Sequence, residues 1–138
     1  MFIRSLRDVK ETHHYKVMPK CSTYSARYLT AADGMGFSLH VNRGKAIQPT
    51  QLWYKNHWEA NYIISGTGQV EDVTTGESWK LEPDMTYNVG PKDRHQLSAE
   101  TDLHLVSVFC PPLEGTEQHD ADGALEPSGP VPPGPPGY

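Results

Sequence analysis

The sequence predicts an all-β, single-domain fold built as an antiparallel sandwich or barrel. Three observations carry that expectation. No long stretch repeats its apolar residues with a helical period. Short apolar or alternating segments recur instead, at 26–31, 36–41, 58–64, 69–73, 77–81, 85–89, 95–99 and 103–109. Turn residues punctuate them, and a chain of 138 residues suits one core.

Taken in order, the opening Met1-Phe2-Ile3-Arg4-Ser5-Leu6-Arg7 has no apolar run long enough for a signal peptide or a membrane span. The segments at 26–31 and 36–41 are separated by Ala32-Asp33-Gly34-Met35, a loop by composition. Ser65-Gly66-Thr67-Gly68 turns segment 58–64 into 69–73, and Thr74-Thr75-Gly76 turns 69–73 into 77–81. Pro111-Pro112 ends the last strand, because proline cannot donate to a ladder. We therefore expect a barrel over residues 1–115. A polar stretch over 116–123 and a Pro/Gly-rich, extended or disordered tail over 124–138 follow it.

Charge and cysteines exclude other classes. The net charge is -5 and the basic residues are scattered, which argues against a nucleic-acid partner. Cys21 and Cys110 form no CxxC pair, and free thiols point to the cytoplasm.

Two segments carry polar residues on one strand face. In Ser38-Leu39-His40-Val41-Asn42 the polar side chains alternate with apolar ones, and in Trp58-Glu59-Ala60-Asn61-Tyr62 so do Glu59 and Asn61. Such faces are either the wet outside of a sandwich or the lining of a barrel that binds a small molecule. Glu59 precedes Gly66 by the seven positions of a first cupin motif, and Pro83 through His95 loosely fits a second. The HxH pair usual upstream is absent, since Trp53-Tyr54-Lys55 stands there, so a three-His-one-Glu metal site is excluded. A metal-free cupin-like binder stays open on these intervals alone.

Longer strings are more specific. Leu52-Trp53-Tyr54-Lys55-Asn56-His57-Trp58-Glu59-Ala60, Gly66-Thr67-Gly68-Gln69-Val70-Glu71-Asp72, Asp93-Arg94-His95 and Val108-Phe109-Cys110-Pro111-Pro112-Leu113 resemble ectoine synthases, in that family's order and nearly its spacing up to about Gly123. The resemblance implies a cupin-type double-stranded β-helix, or jelly-roll barrel, and a homodimer with one Fe(2+) per chain. It implies metal ligands at Glu59, Tyr87 and His95, and a substrate pocket of Arg27, His40, Asn42, Tyr54, Phe109, Glu117 and His119. Departures stand at Asn42, where the family has Thr, and at Thr23, often aromatic. Ser25-Ala26-Arg27 keeps only one of two usual arginines, and Pro83-Asp84-Met85-Thr86-Tyr87 replaces Pro-Gly-Thr-Met-Tyr.

The implied reaction is an intramolecular cyclisation. The α-amine of N-γ-acetyl-L-2,4-diaminobutyrate attacks its own acetyl carbonyl, and loss of water gives ectoine, a compatible solute against osmotic stress. A divalent metal suits the polarisation of a poorly electrophilic amide. Arg27 matches a carboxylate bidentately. Tyr54, Glu117 and His119 are the candidate catalytic groups, with the base left open between Glu117 and His119, and the polar segment they share is expected to fold over the barrel mouth. Plainer roles compete: Tyr87 as a wall aromatic, Trp53 as a core aromatic, His57 as a structural histidine. An isomerase or dioxygenase of the same fold, or a non-catalytic solute binder, is the alternative function.

Overall fold

A computed structural model describes all 138 residues. Ten strands form two antiparallel sheets that close on each other as a jelly-roll barrel, the fold class expected from the sequence. The order in the first sheet is β1 (Tyr15–Met18), β2 (Thr23–Leu29), β3 (Ser38–Gly44), β10 (Leu103–Cys110), β5 (Trp58–Ser65), β8 (Thr86–Val89). In the second it is β4 (Thr50–Leu52), β9 (His95–Ser98), β6 (Gly68–Asp72), β7 (Ser78–Leu81). Neighbours such as β3, β10 and β5 are distant in sequence, the crossovers a jelly roll requires.

Local chemistry explains the joints. The glycine of the first cupin interval, Gly66, has φ +88°, and a Cβ there would collide with the Asp102 carbonyl. No other residue fits that turn. Three elements escaped the sequence reading. The helix α1 (Leu6–Lys10) is closed by a reciprocal cap between Ser5 and Asp8, while β1 and β4 are only four and three residues long.

The alternation runs opposite to a solvent-facing sheet. On β5 the inward residues are Glu59, Asn61 and Ile63, while Tyr62 and Ile64 are exposed outside. On β3 the buried side chains are Ser38 and His40, and on β10 Leu103, Leu105, Ser107 and Phe109. The polar faces therefore line the barrel, and the alternative of a wet outer surface falls away.

The tail corrects one expectation. It has no helix or strand over 124–138, but it is packed rather than disordered. Ala124 and Leu125 are buried, and the Asn56 amide donates to the Leu125 carbonyl at 2.8 Å. The Trp58 indole donates to the Pro132 carbonyl at 3.0 Å and its ring lies 4.3 Å from that of Tyr138. The Tyr138 hydroxyl takes the Lys92 N–H at 2.7 Å and donates to Asp93 at 3.2 Å. A composition too poor for its own core can still cover a ready-made aromatic surface, and Trp58 supplies that surface.

Candidate active site

Register builds the site. Straight across the first sheet, Arg27 on β2 pairs with His40 on β3, His40 with Ser107 on β10, Ser107 with Asn61 on β5, and Asn61 with Tyr87 on β8. One step along β5, Glu59 lies opposite Phe109. The second sheet contributes His95 at the start of β9, opposite Leu52 on β4, and Tyr54 follows β4. Of the side chains singled out in the sequence, Arg27, His40, Asn42, Tyr54, Glu59, Tyr87, Phe109 and His119 line one cavity. Glu117 and His95 are buried beside it: Glu117 is bonded to Arg27, and the ring of His95 lies 5.7 Å from that of Tyr54 and 6.4 Å from that of Tyr87. Cys21, Thr23, Ser25, Asn61 and Ser107 also line the cavity, and the sequence reading gave them no role. For Asn61 the signal was its place on the Glu59 face of β5.

Burial is the dominant electrostatic fact. Burial raises the Glu59 carboxyl to about 7, with Asn61 and Ser107 pulling it partly back. It pushes the Tyr87 phenol well above its ordinary value, and the nearby Glu59 pushes the same way. It lowers the His95 imidazole. Each shift disfavours the charge or the proton arrangement of an isolated group, and a cation placed among them would reverse the first two. His95 accords with such a role. Its Nδ1 faces the Asp93 carbonyl at 3.4 Å, while its buried Nε2 has no partner. An imidazole held through one nitrogen with the other free is how metal-binding histidines are oriented. No three His, Cys, Asp or Glu side chains lie close enough together to hold a cation, so a centre here needs the Tyr87 phenol among its donors.

The polar segment after the barrel packs against the Arg27 side of the cavity. Arg27 is 1% exposed and makes an ion pair with Glu117, Nη1 to Oε2 at 3.1 Å, while Nη2 donates to the Glu117 carbonyl at 2.7 Å. The same carboxylate accepts the backbone N–H of Glu114 at 2.6 Å and of Gly115 at 3.0 Å. Only Nε of Arg27 is left unpaired. His119 instead meets Tyr54, Nε2 to hydroxyl 3.0 Å, and its Nδ1 is free. Burial lowers His119 to about 4, so it is neutral at pH 7. His57 is fully buried, with Nε2 3.1 Å from the Ser128 hydroxyl, Nδ1 unpaired, and its ring edge-on to Phe109. The expectation of a satisfied structural histidine holds for one nitrogen only. Trp53 donates its indole N–H to the Pro91 carbonyl and lies under Arg94, outside the cavity.

A closed antiparallel barrel with a polar, titratable interior defines a small cupin. A Cupin_2 domain of a transcriptional regulator from Enterobacter cloacae shares the fold, with a TM-score of 0.54 at 15% identity over 66% of this chain and 98% of that one. The chain belongs to the ectoine synthase family, whose description as Ectoine synthase matches residues 1–128. An L-ectoine synthase of Oceanobacillus iheyensis is 43% identical over 124 residues, 89% of this chain and 94% of that protein. A crystal structure of ectoine synthase from P. lautus superposes with a TM-score of 0.75 at 38% identity, covering 83% of this chain and 81% of that one.

Proposed function

We infer that the chain carries the activity for which its relatives are named, L-ectoine synthase, a hydro-lyase that closes N-γ-acetyl-L-2,4-diaminobutyrate into ectoine. In that reaction the α-nitrogen forms a bond to the acetyl carbonyl carbon, the carbon–oxygen bond breaks, and the oxygen leaves as water. The observation that carries the reading is that eight of the ten side chains singled out by the family resemblance line one cavity, with Glu117 and His95 buried beside it.

The residues divide the work by their surroundings. His119, neutral and with Nδ1 free, is suited to take the proton that the α-ammonium must lose before it attacks. Tyr54, hydrogen-bonded to His119, is placed to pass a proton towards the departing oxygen. Glu117 already accepts three hydrogen bonds, one of them from Arg27, and serves as the brace of the closing segment rather than as the base. Arg27 keeps Nε for the substrate carboxylate, with His40 and Asn42 beside it on the cavity wall. Phe109 and the closed segment keep bulk water from a ring that water would open. The cavity between these side chains has a volume of ≈ 50 Å³, room for a few waters.

Glu59, Tyr87 and His95 are the residues that would hold the cofactor, and their oxygen–oxygen–nitrogen donor set suits Fe(2+). When bound, the metal supplies Lewis-acid polarisation of the amide oxygen. A homodimer fits the outward apolar pair of β5, Tyr62 and Ile64. No helix is long and apolar enough to cross a membrane, and the two free cysteines suit the cytoplasm.

The deciding experiment mixes the iron-loaded protein with the acetylated diamino acid without oxygen and follows the cyclic product. Ectoine is expected from the wild type, and stoichiometric binding without turnover would leave a solute binder. Glu59→Ala, Tyr87→Ala and His95→Ala are each expected to lose both iron and turnover. Full iron and rate in all three would sink the metal assignment.

A further inference from the structure

Ser107 is the centre of an interior hydrogen-bond chain with one end missing. The Asn42 amide donates to the Ser107 hydroxyl at 2.8 Å, and that hydroxyl donates to Asn61 Oδ1 at 2.5 Å. The direction follows from the donors. An amide NH2 can only give a hydrogen, so the serine proton goes on to Asn61, and the Asn61 carbonyl is committed to Ser107. Its NH2 then points the other way. Asn61 is 1% exposed, and its Nδ2 has no hydrogen-bond partner. A buried amide N–H left unpaired is destabilising, so its persistence in one orientation calls for a reason.

The reason lies on the same strand face. Glu59 is the next inward residue on β5, and Tyr87 is the cross-strand partner of Asn61 on β8. Asn61 thus lies between two of the three side chains assigned to the metal.

We propose that Asn61 is a positioning residue: locked by Ser107, it turns its unpaired Nδ2 towards the Glu59 carboxylate and holds that carboxylate for the cation. The inference rests on the metal reading of Glu59, Tyr87 and His95. It adds Asn61 and Ser107, which touch neither the cation nor the reacting atoms in this role. The chain begins at Asn42 on the substrate side, so the same serine ties the pocket wall to the metal ligand. Partners of this kind, one step behind a ligand, typically change metal affinity by about 10–100-fold when removed.

The test uses the full chain, stripped of metal and titrated with Co(II), whose visible spectrum reports ligand geometry. Asn61→Leu keeps the volume and removes the amide. It is expected to weaken Co(II) binding by about 10–100-fold and to change the band shape. Ser107→Ala unlocks the amide without removing it and is expected to act in the same direction by a smaller factor. It also decides the matter if Asn61→Leu fails to fold. The double variant is expected to lose no more than Asn61→Leu alone, because both act through one carboxylate. Glu59→Gln in the same titration separates the two claims. Wild-type binding by Glu59→Gln would overturn the metal reading itself. Loss of binding there, with wild-type affinity and spectrum in both Asn61→Leu and Ser107→Ala, would overturn the positioning role alone.

Discussion

Glu117 and His119 stand two residues apart and are equally plausible bases by chemistry; their neighbours separate them. Arg27 and two backbone N–H groups use the carboxylate, while His119 meets only Tyr54 and keeps a nitrogen free. His119 leaves a mark on stability. Its folded value of about 4 lies below the ordinary 6.5, so between these values the unfolded chain binds the proton and the folded one does not. The contribution is therefore present above pH 6.5 and is lost as pH falls through about 4. His119→Gln is expected to flatten the fall in Tm over that window and to abolish turnover while keeping iron. An unchanged acid slope would show that the ring is not buried in solution. Glu59, Tyr87 and His95 could be singled out as candidates in the sequence because a specific string carried Glu59, and the Tyr87 and His95 positions followed it. Asn61 and Ser107 were not, because asparagine and serine are ordinary strand residues until register sets them opposite each other. Asp84, in the place of the family's glycine, takes φ +68° and accepts the Tyr62 hydroxyl at 2.6 Å, which explains how that departure is accommodated.

Among the elements, β5 teaches the most. Its alternation was plain in the sequence, but alternation fixes only which residues share a face and not which face is inside. The closed barrel decides, turning Glu59 and Asn61 inward and leaving Tyr62 and Ile64 outside. Length alone did not decide what was legible. The strands β7, β8 and β9 have four residues each and were read because turn residues such as Gly76, Pro83 and Gly90 bound them, whereas α1, β1 and β4, of five, four and three residues, were missed. The tail was misjudged for a different reason. Proline and glycine content describes what a segment cannot build, and it says nothing of a surface elsewhere that the segment can cover. Removing residues 130–138 deletes an aromatic pair with Trp58 and three hydrogen bonds, from Trp58 to the Pro132 carbonyl, from the Lys92 N–H to Tyr138 and from Tyr138 to Asp93, offset by the entropy regained. The expected cost is about 1–2 kcal/mol, with greater quenching of Trp58 fluorescence by acrylamide. Turnover is expected to survive, since the cavity wall includes no residue beyond Leu125. An unchanged Tm and unchanged quenching would mean that the tail is free in solution.

For the molecule as a whole, placing polar groups inside has an outward consequence. Val17 and Tyr24 on β1 and β2, and Tyr62 and Ile64 on β5, are 54%, 46%, 43% and 42% exposed on the outer side of one sheet. Arg43 and His104 lie in the row between the two pairs, and the β5 pair is the apolar contact a second copy would cover. Tyr62→Lys combined with Ile64→Glu is expected to halve the mass measured by light scattering while each chain stays folded. A wild type that is already monomeric, or a variant of undiminished mass, would refute this face as the contact. An antiparallel sandwich or barrel was legible from strand spacing and turn residues, and the jelly roll only through the family resemblance. The pairing of β10 with both β3 and β5 was not legible, because it joins segments far apart along the chain. The seat of Tyr138 between Lys92, Asp93 and Trp58 also bears on laboratory handling. A purification handle fused after that tyrosine would pull on an anchor set against the strand that carries Glu59, whereas Met1 projects freely into solvent, so an affinity label belongs at the opposite end.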